Sequence, residues 1–255
     1  MLRALLEMQG YRLRAIDKDC GTVVDFYFDD RLWTLRYVVA DTGNWLPGRK
    51  VLIAPEAIEH PNWEERVFPV TLTSTAIEES PGLESDLPFS LQKEKELRTF
   101  FKWREYWNDE IFLQPLGYTL AGAPGVTFDE RHTESGLQSS ARVTGNPHLR
   151  SAQEVKGYSI RAHDGEIGQV KDFIVVEGTW AIRYLVIDTE NWLPGKKVII
   201  SPTWVNAIDW SHQRVDVGMT QEMIERSPEF TPDQPIDKEY EIRLYDYYGK
   251  PHDWD

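Results

Sequence analysis

An internal duplication constrains this chain more than any other feature. The stretch Arg36 to Ile53, RYVVADTGNWLPGRKVLI, returns as Arg183 to Ile200, RYLVIDTENWLPGKKVII. Aligned without gaps at an offset of 147, residues 11–63 and 158–210 agree at 24 of 53 positions. Shared composition does not give such agreement, so the two copies must share one fold. The expected organisation is a first domain over residues 1–110, a connection over 111–150 and a second domain over 151–255.

Each copy opens with a polar turn, Asp17 to Gly21 or Asp164 to Gly168. The Asp and the Gly are kept while the residues between them change. That pattern predicts a side-chain-capped turn closed by a residue at positive φ. Val23–Asp30 and Val170–Glu177 are β-branched and aromatic, and read as strands. After a short turn carrying Trp33 or Trp180 come Leu35–Ala40 and Ile182–Ile187, whose apolar content is too continuous for a half-exposed strand. Asp-Thr and Pro-Gly turns then lead to Val51–Ile53 or Val198–Ile200, which end at Pro55 or Pro202. Short strands are expected near residues 66–70 and 214–217. Thr73 and Thr220 open short helices that end before Pro81 and Pro228. Residues 88–101 and 235–248 read as helical extensions, the first more clearly than the second. Residues 112–150 are glycine- and serine-rich with little periodicity, as in a linker.

Composition narrows the setting. The formal net charge of −14 is spread over both copies, so neither offers the cationic face that a phosphate backbone requires, and nucleic acid is not an expected partner. No run of 18 apolar residues is present, and Met1–Glu7 is interrupted by charge, so neither a membrane span nor a secretory leader is read and a cytoplasmic location is expected. The single cysteine, Cys20, excludes an intramolecular disulfide, and its replacement by Ile167 in the second copy marks it as a small core residue.

The layout Gly21, Val23, Asp25-Phe26, Arg36-Tyr37, Asp41, Trp45-Leu46-Pro47-Gly48, Lys50-Val51 and Pro55 resembles the PRC-barrel family, and the second copy resembles it more closely. There Asp164 to Phe173 is similar to the family's opening strand pair, and Tyr184–Asp188 through Ile199–Pro202 to its central hairpin. The resemblance covers about residues 11–80 and 158–228. It implies a mainly β fold with short helices: two tandem small antiparallel β-barrels, six strands each, with C-terminal helical extensions. The family is named for the cytoplasmic domain of the photosynthetic reaction centre H subunit and includes the C-terminal domain of a ribosome-maturation factor. The absence of a recognisable site makes a non-catalytic interaction or scaffold module the expected function; the resemblance, whose C-terminal blocks are similar to the extensions of bacterial tandem proteins, implies its specific form, docking on an electron-transfer or other membrane-associated complex. The fold alone does not assign an activity.

Candidate chemistry is sparse. Asp25 and Asp172 lie one strand before Arg36 and Arg183, and since a charge among apolar residues must be paired, structural ion pairs Asp25–Arg36 and Asp172–Arg183 are expected. Trp45 and Trp192 follow Asn and precede Leu-Pro-Gly, and with Asp41 and Asp188 they are the candidate binding residues, Trp being enriched at binding hot spots. The competing reading is a hydrolytic or metal-dependent enzyme using Asp25/Asp172 and Asp41/Asp188 between the barrels. No catalytic residue, metal site or cofactor is assigned, because the six histidines occupy no shared position and there is no phosphate loop, nucleophile elbow or CxxC motif. A third reading, a small ligand inside a barrel, meets an interior that six short strands fill with side chains. Tyr240, Tyr245, Tyr247 and Tyr248 form an aromatic cluster from which self-association is expected.

Overall fold

A computed structural model of the chain describes residues 1–43, 49–83, 91–108, 148–189, 195–232 and 234–252. Trp45, Trp192 and residues 109–147 of the connection lie outside them. Among the described residues thirteen strands form two sheets, one per repeat, with a few short helices, so the chain is mainly β. The strands are β1 (Leu2–Ala4), β2 (Arg12–Arg14), β3 (Asp19–Asp29), β4 (Thr34–Asp41), β5 (Lys50–Ile53), β6 (Val67–Pro69), β7 (Leu149–Ser151), β8 (Ser159–Arg161), β9 (Glu166–Val176), β10 (Ile182–Asp188), β11 (Lys197–Ile200), β12 (Val205–Asp209) and β13 (Arg214–Val217).

The first sheet runs β5-β4-β3-β2-β6 and the second β11-β10-β9-β8-β13-β12. Two features differ from the expected closed antiparallel barrels. The strands at the two ends of each order share no ladder among the described residues, so the sheets curl without closing. Moreover, β2 pairs with β6, and β8 with β13, in parallel, because the chain returns to the sheet through an irregular stretch instead of a tight hairpin.

β4 is buried along nearly its whole length, as its continuous apolar sequence predicts. One face, with Phe26, Phe28, Val38 and Val51, belongs to the main core, and the other, with Tyr27, Tyr37, Val39 and Leu52, packs under the helix Leu91–Phe101 through Leu97. The helix Lys238–Tyr248, less evident in sequence, is defined at both ends. The Asp237 side chain accepts from the Tyr240 N–H, and Gly249 closes the helix in the left-handed conformation. Its Tyr245 and Tyr248 are buried against Trp204, at ring separations of 5.1 and 5.0 Å, so two members of the tyrosine cluster are internal.

The repeats are joined by reciprocal exchange. β1, at the start of the first repeat, pairs with β9 of the second, Leu2 opposite Val176 and Ala4 opposite Ile174. β7, whose Leu149 and Arg150 fall at the end of the expected connection, pairs with β3 of the first, Leu149 opposite Asp29 and Ser151 opposite Tyr27. Both registers obey the sequence offset, so the halves are related by a pseudo-twofold axis. That axis passes through the hairpin tips, where Thr34 bridges Ala181, the Leu35 N–H donates to the Trp180 carbonyl at 3.0 Å and the Ile182 N–H to the Trp33 carbonyl at 2.7 Å. A single cluster of buried residues runs through both repeats.

Candidate functional site

The side chains kept by the duplication fall into four structural arrangements. Asp25 and Asp172 come first. The register sets Asp25 opposite Val39, while Arg36 falls at a bulge opposite Tyr27 and Phe28, so the expected Asp25–Arg36 and Asp172–Arg183 pairs are not formed. Each Asp instead grips the exchanged leader of the other repeat. Asp172 Oδ1 accepts from the Leu6 N–H at 2.8 Å, and Asp25 Oδ1 accepts from the Gln153 N–H at 3.1 Å, position 153 being the repeat equivalent of position 6. Each also accepts the N–H of the following Phe, at 2.7 Å for Phe26 and 2.6 Å for Phe173.

Arg36-Tyr37 and Arg183-Tyr184 dock the C-terminal helices. Tyr37 Oη donates to Glu94 Oε1 at 2.8 Å, and Tyr184 Oη donates to Glu241 Oε1 at 2.6 Å; Glu94 and Glu241 are again repeat equivalents. Burial and the adjacent carboxylate hold both phenols well above their ordinary pKa, which keeps them donors. Arg183 Nε pairs with Glu241 at 3.3 Å, so the true acidic partner sits on the helix and not on the neighbouring strand. Arg36, 4% exposed, lies 4.0 Å over the Tyr106 ring. In the first repeat Tyr106 Oη adds a second donor to Glu94 at 2.7 Å, and buried Arg98 reaches Tyr37 Oη at 2.7 Å and Glu56 at 3.1 Å.

Asp17 and Asp164 tie the short helices. They accept the N–H of Ser74 at 2.7 Å and of Gln221 at 2.8 Å, at the helix starts that Thr73 and Thr220 also cap. Gly21 and Gly168 take positive φ as expected, but inside a strand and not at the close of the turn. They lie within β3 and β9 at φ of 152° and 156°, where a Cβ would come within 2.3 Å of the Asp41 carbonyl oxygen and 2.0 Å of the Asp188 one. Asp41 accepts from the Gly43 N–H at 2.7 Å in a local turn, and Asp188 lies 4.0 Å from Lys171. Cys20 is buried, as expected, and burial raises its thiol pKa.

Two clefts flank the gripping aspartates at equivalent places. One, of about 670 Å³, includes Asp172 with Leu2, Leu6, Ile174 and Lys197 on its walls. The other, of about 390 Å³, includes Asp25 with Tyr27, Lys50, Ser151 and Gln153. Burial pushes the Asp172 carboxyl up to about 6, against the two N–H bonds that favour its ionised form, and it raises Asp25 likewise. The two carboxylates thus lie in separate clefts, and Asp41 and Asp188 line neither. Among the described residues no cluster of His, Cys, Asp or Glu has the arrangement of a metal site, and no helix is long and apolar enough to cross a membrane.

The leaders lie ahead of the clear repeat, which begins at Tyr11. The signal was a short one at the same offset: Leu2-Arg3 with Leu149-Arg150, Glu7 with Glu154 and Gly10 with Gly157. No curated protein matches the chain. The model of the PRC-barrel domain matches residues 147–216, a span that begins at the exchanged leader and ends in β13. Over residues 147–216 the chain is thus similar to PRC-barrel domains.

Proposed function

We propose that the protein is a non-catalytic interaction module in which two PRC-barrel-like repeats, spanning about residues 1–110 and 151–255, form one rigid platform for a protein partner. The observation that carries this reading is the use made of the duplicated polar residues. Asp25, Asp172, Tyr37, Tyr184, Glu94 and Glu241 are engaged in holding leaders and helices, which supports a structural use of these duplicated groups over acid/base work. The finer form, docking at the cytoplasmic side on a membrane-associated or electron-transfer complex, draws its support from the resemblance to the family's reaction-centre member. Trp45 and Trp192 are the proposed anchors, with Asp41 and Asp188 as further candidate binding residues. The test is capture of the intact chain with its complex from native cells. A stoichiometric partner lost on the double change Trp45→Ala, Trp192→Ala supports the reading. A partner that survives both changes contradicts the anchor assignment, and hydrolytic turnover lost on Asp172→Asn contradicts the non-catalytic one.

A further inference from the structure

The two clefts differ in one way that matters chemically. In the smaller, Ser151 Oγ donates to Asp25 Oδ2 at 2.5 Å, so both carboxylate oxygens are engaged. The repeat equivalent of Ser151 is Ala4, which carries no donor. Asp172 Oδ1 takes the Leu6 and Phe173 N–H groups, while among the described residues no hydrogen bond reaches Oδ2, and Asp172 is one of the residues lining the larger cleft. The same cleft is lined by the apolar Leu2, Leu6 and Ile174 and by Lys156, Lys171 and Lys197, of which Lys156 favours the ionised Asp172 and Lys171 also lies 4.0 Å from Asp188. Two of those lysines are new to this repeat, since positions 156 and 171 correspond to Gln9 and Val24. The volume of about 670 Å³ lies in the range of small-molecule sites, which combine apolar walls with a few convergent polar groups.

From the open Asp172 oxygen, the apolar walls and the added lysines, we infer that this cleft binds a small zwitterion with an apolar body, of the class of a hydrophobic dipeptide. An ammonium group donates to Asp172 Oδ2, the position that Ser151 fills in the other repeat. The carboxylate is received by the lysines, and the apolar side chains rest on Leu2, Leu6 and Ile174. A simple anion would leave Asp172 and Glu7 unmatched, and a simple cation would face Arg3 and the three lysines, so a ligand carrying both charges is the one the cleft complements. Because β1 supplies part of the wall, the site exists only when the leader is exchanged.

The test uses the full chain and the dipeptide L-leucyl-L-leucine, titrated by calorimetry at pH 7.5. Saturable one-to-one binding with Kd below about 1 mM is expected. N-acetyl-L-leucyl-L-leucine, which lacks the ammonium, should bind at least about tenfold more weakly. Ala4→Ser, which gives Asp172 the hydroxyl that Asp25 already has, should cost a similar factor, whereas Ser151→Ala should leave the affinity unchanged. If Ala4→Ser lowers the unfolding midpoint, Lys171→Gln, on a side chain 49% exposed, replaces it with the same expected loss. Absence of saturable binding up to about 10 mM would overturn the inference. So would equal binding of the acetylated peptide, or unchanged affinity in the cleft variant.

Discussion

Asp172 shows how a single carboxylate can be both a structural clamp and a liability. It must accept the Leu6 N–H to hold the leader, yet it does so beside apolar walls that oppose its charge. The sign of the pH dependence follows. With the folded pKa raised from 3.8 to about 6, its favourable contribution is complete below pH 3.8 and is lost as pH rises toward 6. Asp172→Asn keeps an acceptor for both N–H groups and removes the charge. It should therefore stabilise the chain by about 1–2 kcal/mol at pH 7.5, allowing for partial exposure, and by much less at pH 4, in urea unfolding at the two values. A variant less stable than the parent at pH 7.5 would show that the charge itself is needed. Glu241→Gln tests the other kept cluster. It replaces a charge-assisted acceptor for Tyr184 and Arg183 with a neutral one, and should cost about 1–3 kcal/mol by the same measurement. These roles were half legible: Asp25, Arg36 and Tyr37 stood out because both copies keep them. Their partners did not, because Glu94 and Glu241 lie far along the chain in segments whose likeness is weak.

At the level of elements the leader is the part most easily underestimated. A three-residue strand is marginal by itself, and β1 is held by its ladder to β9, by Asp172 and by apolar side chains that follow it into the core. Leu5 is fully buried and Met8 is 2% exposed, so Leu5→Ala should destabilise the molecule by about 2–4 kcal/mol. The location of the effect is the sharper expectation. Hydrogen exchange in Leu5→Ala should quicken first at Ile174–Val176 in the second repeat, which β1 covers, and an effect confined to residues 12–53 would argue against the exchange. Strands β3, β4, β9 and β10 were readable from alternation, apolar continuity and turn residues. The parallel pairing of β2 with β6 was not, because nothing local in either strand records its neighbour. The same holds for the exchanged leaders, whose three-residue ladders carry almost no periodicity.

On the scale of the whole molecule, exchange turns two homologous repeats into one cooperative body. Each sheet is completed by the other repeat's leader, the hairpin tips pair on the pseudo-twofold axis, and the buried residues of both halves are contiguous. Duplication in the sequence announced two similar units, but similarity does not say whether such units stand apart or interlock; that depends on the few residues at positions 2–8 and 149–155. The most direct measurement is cross-linking of the exchange in the full chain, with Cys20→Ser as background so that only the introduced thiols react. Leu2→Cys with Val176→Cys, and Leu149→Cys with Asp29→Cys, each place two thiols on directly opposed strand positions. Mild oxidation of either pair should give an intrachain disulfide in nearly all molecules, read as faster migration of the unreduced monomer, with a raised unfolding midpoint. Failure of both pairs to close within one chain would contradict the interlocked architecture.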